Sequence, residues 1–221
     1  MPKPNRERPM SHACIDIIRH RIALSLLLVA IGLAGCAAPG QRPVAEAPEV
    51  TEAARLDFAA ALADMQAGQL ASAERRLRAL QARQPALPGP QVNLAIVLRE
   101  RGQVDDARAL LETVVREHPE FAPAHHQLGL MLREHGRFEA ADAAYANALA
   151  ADPHYALAHF NRAVLNDLYL ARPAVALLHF ERYQDIAGAD PEGEVARWIV
   201  ELRRRVDAEA ALRVADRGAG A

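Results

Sequence analysis

A motif that recurs every 34 residues constrains the fold of this chain more than any other feature of its sequence. One column holds glycine, one holds proline and two hold small residues. The columns are Gly68, Gly102 and Gly136; Pro85, Pro119 and Pro153; Ala61, Ala95, Gly129 and Ala163; and Ala73, Ala107 and Ala141. A period of 34 residues is typical of a helix–turn–helix unit that stacks on copies of itself. The sequence therefore predicts a helical solenoid whose work is binding, and it disfavours an enzyme.

Each repeat is predicted to hold two helices. The units begin near Ala54, Pro88, Ala122 and Ala156, and they cover about 54–87, 88–121, 122–155 and 156–188. The recurring glycine suits the left-handed backbone that closes a first helix, and the proline cannot continue a second helix. The small residue lets the two helices of a unit approach closely. The predicted fold class is all-α.

The fourth repeat departs from the pattern at its turn, where the sequence 166–170 replaces the usual approach to the glycine. Its second helix matches the earlier columns only when one extra residue is allowed. Ala176, Phe180 and Tyr183 then fill the packing positions. We therefore expect a distorted turn in this repeat.

A further helix is predicted at 190–215. Asp190 can cap it, Pro191 fits its first turn, and one apolar stripe is formed by Val195, Trp198, Ile199, Leu202 and Val206. We interpret it as a capping helix that covers the last repeat, as solenoids require. A partner-binding helix is the alternative. The glycine-containing tail 216–221 is expected to be disordered.

The first 35 residues have the composition of a targeting signal, with either Met1 or Met10 as the start. Arg19 and Arg21 precede a short apolar run at 22–33. Twelve helical residues span about 18 Å, which is too short for the roughly 30 Å core of a bilayer. The run therefore indicates a secretory signal.

The sequence Leu33-Ala34-Gly35-Cys36 follows this run and resembles the lipobox of bacterial lipoproteins. In that family the cysteine is lipidated and becomes the first residue of the mature chain. The resemblance implies a lipid anchor on Cys36 in the bacterial envelope, and Ala37 after the cysteine favours the outer membrane over the inner membrane. The alternative is an ordinary cleavage site with a chance cysteine. Residues 36–51 are predicted to form a flexible tether rich in proline and alanine.

The charge of the chain argues against one class of partner. The whole chain holds 26 basic and 28 acidic side chains, of which five basic and two acidic ones lie before Cys36. The mature chain therefore carries 21 basic and 26 acidic side chains, a net charge of −5. A chain with this net negative charge lacks the excess of basic residues that binds a polyanion, so nucleic acid binding is disfavoured.

The repeated columns resemble those of the tetratricopeptide repeat family from about Ala54 to Gly188, and Leu94 and Leu128 match it as well. The tryptophan that this family carries early in each repeat is absent. Asp57, Gln91, His125 and His159 stand in its place. The resemblance implies a right-handed solenoid in which the first helices of the repeats line a groove that binds a protein partner.

The groove positions implied by this resemblance lie on one face of each first helix. They are Arg55, Phe58, Leu62 and Met65; Val92, Asn93, Ile96 and Arg99; His126, Gln127, Leu130 and Arg133; and Phe160, Asn161, Val164 and Asp167. The family gives the asparagines a mainly structural role. An apolar strip beside Arg99 and Arg133 predicts a site for an amphipathic segment with some negative charge. The groove is either open, or filled by the last helix or the tether of the chain itself.

Seven histidines follow Cys36, all in the second half of the chain. Their spacing matches no metal motif, and no phosphate-binding loop or nucleophile elbow occurs. We expect packing and surface roles for the histidines, no metal, and no cofactor besides the covalent lipid. The mature chain has no lysine, so a lysine-based carboxylate clamp of the kind found in chaperone-binding arrays is disfavoured.

Two hypotheses follow for the function. The first is a non-catalytic adaptor that binds a periplasmic protein and helps to assemble or localise an envelope machine. The general plan resembles that of pilotins of type IV pili, of lipoprotein adaptors of cell-wall hydrolases, and of lipoproteins of envelope motors. The second is a self-associating structural lipoprotein whose groove binds the last helix of another copy. An envelope enzyme has only the histidines to support it.

Overall fold

A computed structural model describes residues 50–188, 190 and 192–219 of the 221-residue chain. Helices make up almost all of this part, and none of the described residues lies in a strand. The helices are α1 (Glu52–Gln66), α2 (Leu70–Arg83), α3 (Pro88–Glu100), α4 (Val104–Glu117), α5 (Ala122–Glu134), α6 (Phe138–Ala151), α7 (Ala156–Leu168), α8 (Pro173–Ala187) and α9 (Glu194–Ala219). Each helix packs against the next. The prediction of an all-α array of helix–turn–helix repeats with a final helix is confirmed.

The predicted packing columns form the contact between the two helices of each repeat. The small residues of the first helices are buried, and so are the large residues that face them from the second helices. The facing pairs are Ala61 with Leu77, Ala95 with Leu111, Gly129 with Tyr145, and Ala163 with Phe180. Burial of such large side chains is the main stabilising contribution of each repeat, at about 1.5–3 kcal/mol for each residue.

The turns between paired helices follow the glycine column. Gly68, Gly102 and Gly136 have φ angles of 70°, 80° and 71°, in the left-handed region that glycine adopts without a Cβ penalty. In the fourth repeat the connection is one residue longer, and Ala171 takes φ 51° there. The extra residue brings Ala176 and Phe180 into the core at 0% and 2% exposure, as predicted.

A polar contact between neighbouring repeats replaces the tryptophan of the family. In the second, third and fourth repeats, the side chain at this position donates a hydrogen bond to the carbonyl of the proline that precedes its helix. The bonds are Gln91 to Pro85 at 2.8 Å, His125 to Pro119 at 2.9 Å and His159 to Pro153 at 3.1 Å. In the first repeat the residue is Asp57, and it forms an ion pair with Arg83.

Helix α9 covers α8 at the end of the array. Ile199 and Leu202 are 3% and 1% exposed, and they pack with Phe180 of α8. The helix begins at Glu194 and continues to Ala219, beyond the end predicted at 215. Residues 216–219 of the tail that was predicted to be disordered are therefore helical, because alanine favours helix and Arg217 suits the last turn.

Several predicted features lie outside the described residues. They are the signal at 1–35, the lipid site Cys36, most of the tether, Pro191 and the last two residues of the tail. Among the helices that are described, none combines the length and the apolar character needed to cross a bilayer.

Candidate functional site

The candidate site is the face built by the first helices of successive repeats, α1, α3, α5 and α7. We call the exposed part of this surface the groove face. Contacts link each of these helices to the next. A Cβ added at Gly89 would lie 3.9 Å from the Phe58 ring tip, Arg99 pairs with Glu134 at 3.6 Å, and Arg133 donates to the Asn161 side chain at 3.2 Å. These contacts bring the sequence-predicted residues of different repeats onto one continuous surface.

The apolar part of the groove face comes from α1, α3 and α5. Phe58, Leu62, Ile96 and Leu130 are half-buried, so each keeps apolar surface open to solvent. Val92 and His126 were predicted as contact residues, but each is only 3% exposed. They form the floor, because neighbouring first helices lie close enough to cover the side chains between them.

The polar part of the groove face is basic. The guanidinium of Arg99 has Glu134 as a partner, whereas the guanidinium of Arg133 donates to the amide oxygen of Asn161. No carboxylate among the described residues lies within 4 Å of Arg133, so its charge is available to a ligand. The 34-residue phase places both arginines here, but it does not reveal that Glu134 partly neutralises Arg99.

A buried histidine lies beneath these arginines. The Asn161 amide donates to Nε2 of His126 at 3.0 Å, and the Tyr155 hydroxyl lies 3.5 Å from Nδ1. Burial, aided by the positive charges of Arg133 and Arg99, lowers the pKa of His126 to about 4. The ring is therefore neutral near pH 7, and its Nε2 acts as an acceptor that holds Asn161 in place.

The fourth repeat contributes little open surface to the groove face. Phe160 packs on Trp198 of α9 with ring centroids 6.2 Å apart, and Val164 packs in the same cluster. Asp167 forms an ion pair with Arg205 at 2.6 Å. The last helix of the chain thus occupies this end, and the open groove face spans the first three repeats.

The remaining predicted residues have local roles. Asn93 and Asn161 each donate to the carbonyl one turn earlier, at 2.9 Å, which agrees with the structural role expected for them. Arg55 is exposed, Gln127 is half-buried, and Met65 packs partly against the core.

Sequence reasoning missed Glu134 and Tyr155 as members of the site. Tyr155 lies in the loop before α7 and in no groove column, so the 34-residue phase could not find it. Glu134 directly follows Arg133, and its place on the first helix of the repeat after Arg99 is the sequence signal that indicates this ion pair.

His125, His159 and His179 have structural roles. His125 and His159 bond to proline carbonyls, and His159 also meets His179 with 2.8 Å between their Nδ1 atoms. Burial lowers the pKa of His159, and it lowers the pKa of His179 to about 4. The described residues contain no group of three or more histidine, cysteine, aspartate or glutamate side chains that could hold a metal ion.

Comparison with known sequences identifies the repeats. Two sequence models of the tetratricopeptide repeat match this chain, one over residues 64–129 and the other over 126–191. Together they cover 64–191, more than half of the chain. None of the curated proteins matches it significantly.

Solved structures share the fold at low sequence identity. Pseudomonas aeruginosa pilF aligns with a TM-score of 0.61 and 21% identity over 73% of this chain and 72% of its own. MamA 41-end from Desulfovibrio magneticus RS-1 gives 0.55 and 19% over 76% and 96%. A thermophilic tetratricopeptide repeat protein of Thermus thermophilus gives 0.56 and 18% over 69% and 82%. At these identities the likeness concerns the fold alone.

Proposed function

The chain belongs to the tetratricopeptide repeat family, and from this premise we propose that it is a lipid-anchored adaptor of the bacterial outer membrane. Repeats of this family generally bind protein partners and are generally non-catalytic, and the chain is a scaffold for protein–protein interaction. The proposal adds that the partner is a periplasmic protein of an envelope machine, of the pilus, cell-wall hydrolase or motor type.

The groove face is the observation that carries the adaptor proposal. It offers half-buried apolar side chains from three successive first helices, and it has one guanidinium, that of Arg133, without a carboxylate partner among the described residues. Apolar anchors beside a fixed positive charge suit an amphipathic, acidic segment of a protein. Because Asn161 already orients Arg133, the site loses little side-chain entropy when a ligand carboxylate binds.

The spacing of the first helices sets the pattern expected in the ligand. Packed helices lie about 8–10 Å apart, so Arg99 and Arg133 present their charges about one helix spacing apart. An extended segment covers that distance in about three residues at roughly 3.3 Å each. Successive side chains of such a segment point to opposite faces, so we expect the acidic residue that meets Arg133 to have an apolar residue two positions away, on the same face.

Crosslinking in intact cells tests the adaptor. A photoreactive residue replaces Ile96 on the groove face, and a matched control replaces Ala109, which is exposed on α4 of the same repeat. We expect one envelope protein to be captured from position 96 and not from 109. Arg133→Glu should lower its affinity by about tenfold, whereas Arg116→Glu on α4 should have no effect. Equal capture from both positions, or binding that ignores Arg133→Glu, would overturn the proposal.

The lipid anchor is supported by the sequence around Cys36 alone, and it needs a separate test. Metabolic labelling with palmitate and separation of inner and outer membranes should place the labelled protein in the outer membrane fraction. Cys36→Ser should abolish the label and release the protein to the soluble fraction. Labelling that survives Cys36→Ser would refute the anchor while leaving the groove proposal untouched.

Self-association is the second candidate, and one feature of α9 favours it. Beyond residue 209 the described side chains of this helix are exposed, and Leu212 is 66% exposed. An isolated helical end of this kind gains stability from packing on another surface. Light scattering should then show a mass that rises with concentration, and Leu212→Glu should abolish the rise. A constant monomer mass would rule this candidate out.

A further inference from the structure

A cavity lies outside the groove face, between α4 of the second repeat and α5 of the third. Its volume is about 230 Å³. Met131 and Leu132 form an apolar floor at 2% and 9% exposure, and Val104 forms one wall. The rim is polar and exposed, and it consists of Asp105, Arg108, His135 and Arg137. An apolar floor with a polar rim is the usual construction of a site that receives a side chain.

The repeat symmetry of the chain shows what such a cleft holds. A shift of 34 residues converts Val104 into Phe138 and His135 into Tyr169. In that next cleft the Tyr169 ring lies on the Phe138 ring, with centroids 4.6 Å apart and planes tilted by 34°. The chain therefore covers this cleft with an aromatic ring of its own, and Tyr169 remains 50% exposed there.

The cleft between α4 and α5 lacks such a ring for two reasons. Valine at position 104 has less volume than phenylalanine, so the wall stands further back. His135 donates from Nδ1 to the Met131 carbonyl at 2.7 Å, which holds its imidazole at the rim, against its own helix, so that it does not lie over Val104. What remains is the space that a ring would occupy.

The rim charges differ between the two clefts as well. With the one-residue insertion of the fourth repeat, Arg172 corresponds to Arg137, and it pairs with Glu139 at 2.7 Å. At the open cleft, Asp105 pairs instead with Arg108 at 2.9 Å. Arg137 forms no ion pair with any residue that the structure describes, so the rim presents a guanidinium to an incoming group.

We propose that this cavity binds an aromatic side chain of a partner protein whose neighbouring acidic residue pairs with Arg137. A cavity of about 150 Å³ is enough to bind benzene, so the volume here accommodates a phenol ring. Aromatic residues in such pockets often dominate binding energy at interfaces. The site is independent of the groove face, and it gives the array a second contact on another side of the second and third repeats.

Binding of two small probes to the purified mature protein tests the cavity. The protein can be prepared without its lipid for this experiment. The probes are p-cresol, which is the tyrosine side chain, and 3-(4-hydroxyphenyl)propionate, which adds a carboxylate. Titration followed by methyl NMR should give saturable shifts at Val104, Met131 and Leu132, with a Kd of the order of millimolar. The propionate should bind several-fold more tightly, and Arg137→Gln should remove that difference without affecting p-cresol.

Variants taken from the next cleft provide the controls. Val104→Phe combined with His135→Tyr copies the filled cleft and should abolish binding of both probes, while circular dichroism confirms an unchanged fold. The reverse pair, Phe138→Val with Tyr169→His, should open a second site, so that two sets of methyl groups respond. Absence of saturable shifts at the cavity, or binding that persists in the filled variant, would refute the proposal.

Discussion

The contact between Gly129 and Tyr145 provides a sharp test of how the repeats pack. A Cβ added at Gly129 would lie 2.5 Å from Cε1 and 2.6 Å from Cδ1 of Tyr145. Carbon atoms in contact prefer about 3.5–4.0 Å, so Gly129→Ala forces a shift of about 1 Å in a core where Tyr145 is fully buried. Overpacking of this kind costs about 1–3 kcal/mol.

A compensating substitution should relieve this clash. Tyr145→Leu restores the alanine–leucine pair that the first two repeats use, Ala61 with Leu77 and Ala95 with Leu111. Alone, this substitution leaves a void beside the glycine and costs about 1–3 kcal/mol, although it also removes a buried hydroxyl that has no hydrogen-bond partner among the residues that the structure describes. In this background Gly129→Ala fills the void and gains about 1 kcal/mol of helix propensity.

Urea denaturation of the four proteins gives the coupling energy directly. The propensity gain occurs in both backgrounds and cancels, so the cycle isolates the contact between positions 129 and 145. We expect a favourable coupling of about 1–3 kcal/mol, with the double variant more stable than Tyr145→Leu alone. If Gly129→Ala changes the free energy of unfolding equally in both backgrounds, the small-residue column does not control the approach of paired helices.

Three further outcomes follow from the structure. The pKa values of His126 and His179 are lowered to about 4 in the folded protein, so on acidification these side chains take up protons in the unfolded chain before they do so in the folded one. Urea denaturation should therefore show that the free energy of unfolding falls as the pH drops from about 6.5 towards 4, by about 2 kcal/mol for each histidine at pH 5. Stability that stays level over this range would contradict the buried neutral state. Ala171→Gly should raise the melting temperature, because it relieves a left-handed backbone that costs alanine about 1 kcal/mol. Gly102→Ala should lower the melting temperature for the same backbone reason, since the space around the added Cβ is open and no steric clash contributes. Leu202→Ala should cost about 2–5 kcal/mol and increase the exposure of the single tryptophan, Trp198, which is already 38% exposed. Fluorescence would report this as a red shift, and an unchanged spectrum would mean that α9 does not depend on this contact.

The fold was predictable because its determinants are local and repeated. The glycine column fixes the turn, the small-residue column fixes the approach of paired helices, and each acts within one 34-residue unit. The insertion in the fourth repeat was predictable for the same reason, since only a shift of one residue brings Phe180 into the core. The left-handed conformation of Ala171 was not predictable, because no propensity favours alanine there.

The candidate site was less predictable, because its properties depend on contacts between repeats. Periodicity assigned Val92 and His126 to the groove, but their burial is decided by how closely the next first helix approaches. The acceptor role of His126 depends on Asn161, which lies 35 residues later. No local pattern indicated that glutamine and histidine would replace the family tryptophan by bonding to proline carbonyls.

The length of the open groove face bears on how the adaptor would achieve its affinity. With α7 covered by α9, three first helices remain, and two helix spacings of about 8–10 Å span roughly 20 Å, or about six extended residues. A segment that short binds with modest affinity by itself, because its contacts must offset the conformational entropy and the translational and rotational entropy that it loses on binding. Confinement of both proteins to one membrane surface, or simultaneous use of the cavity between α4 and α5, would raise the effective concentration of the second contact. We therefore expect the anchored protein to retain a partner in the membrane fraction that the Cys36→Ser variant, at equal abundance, does not retain.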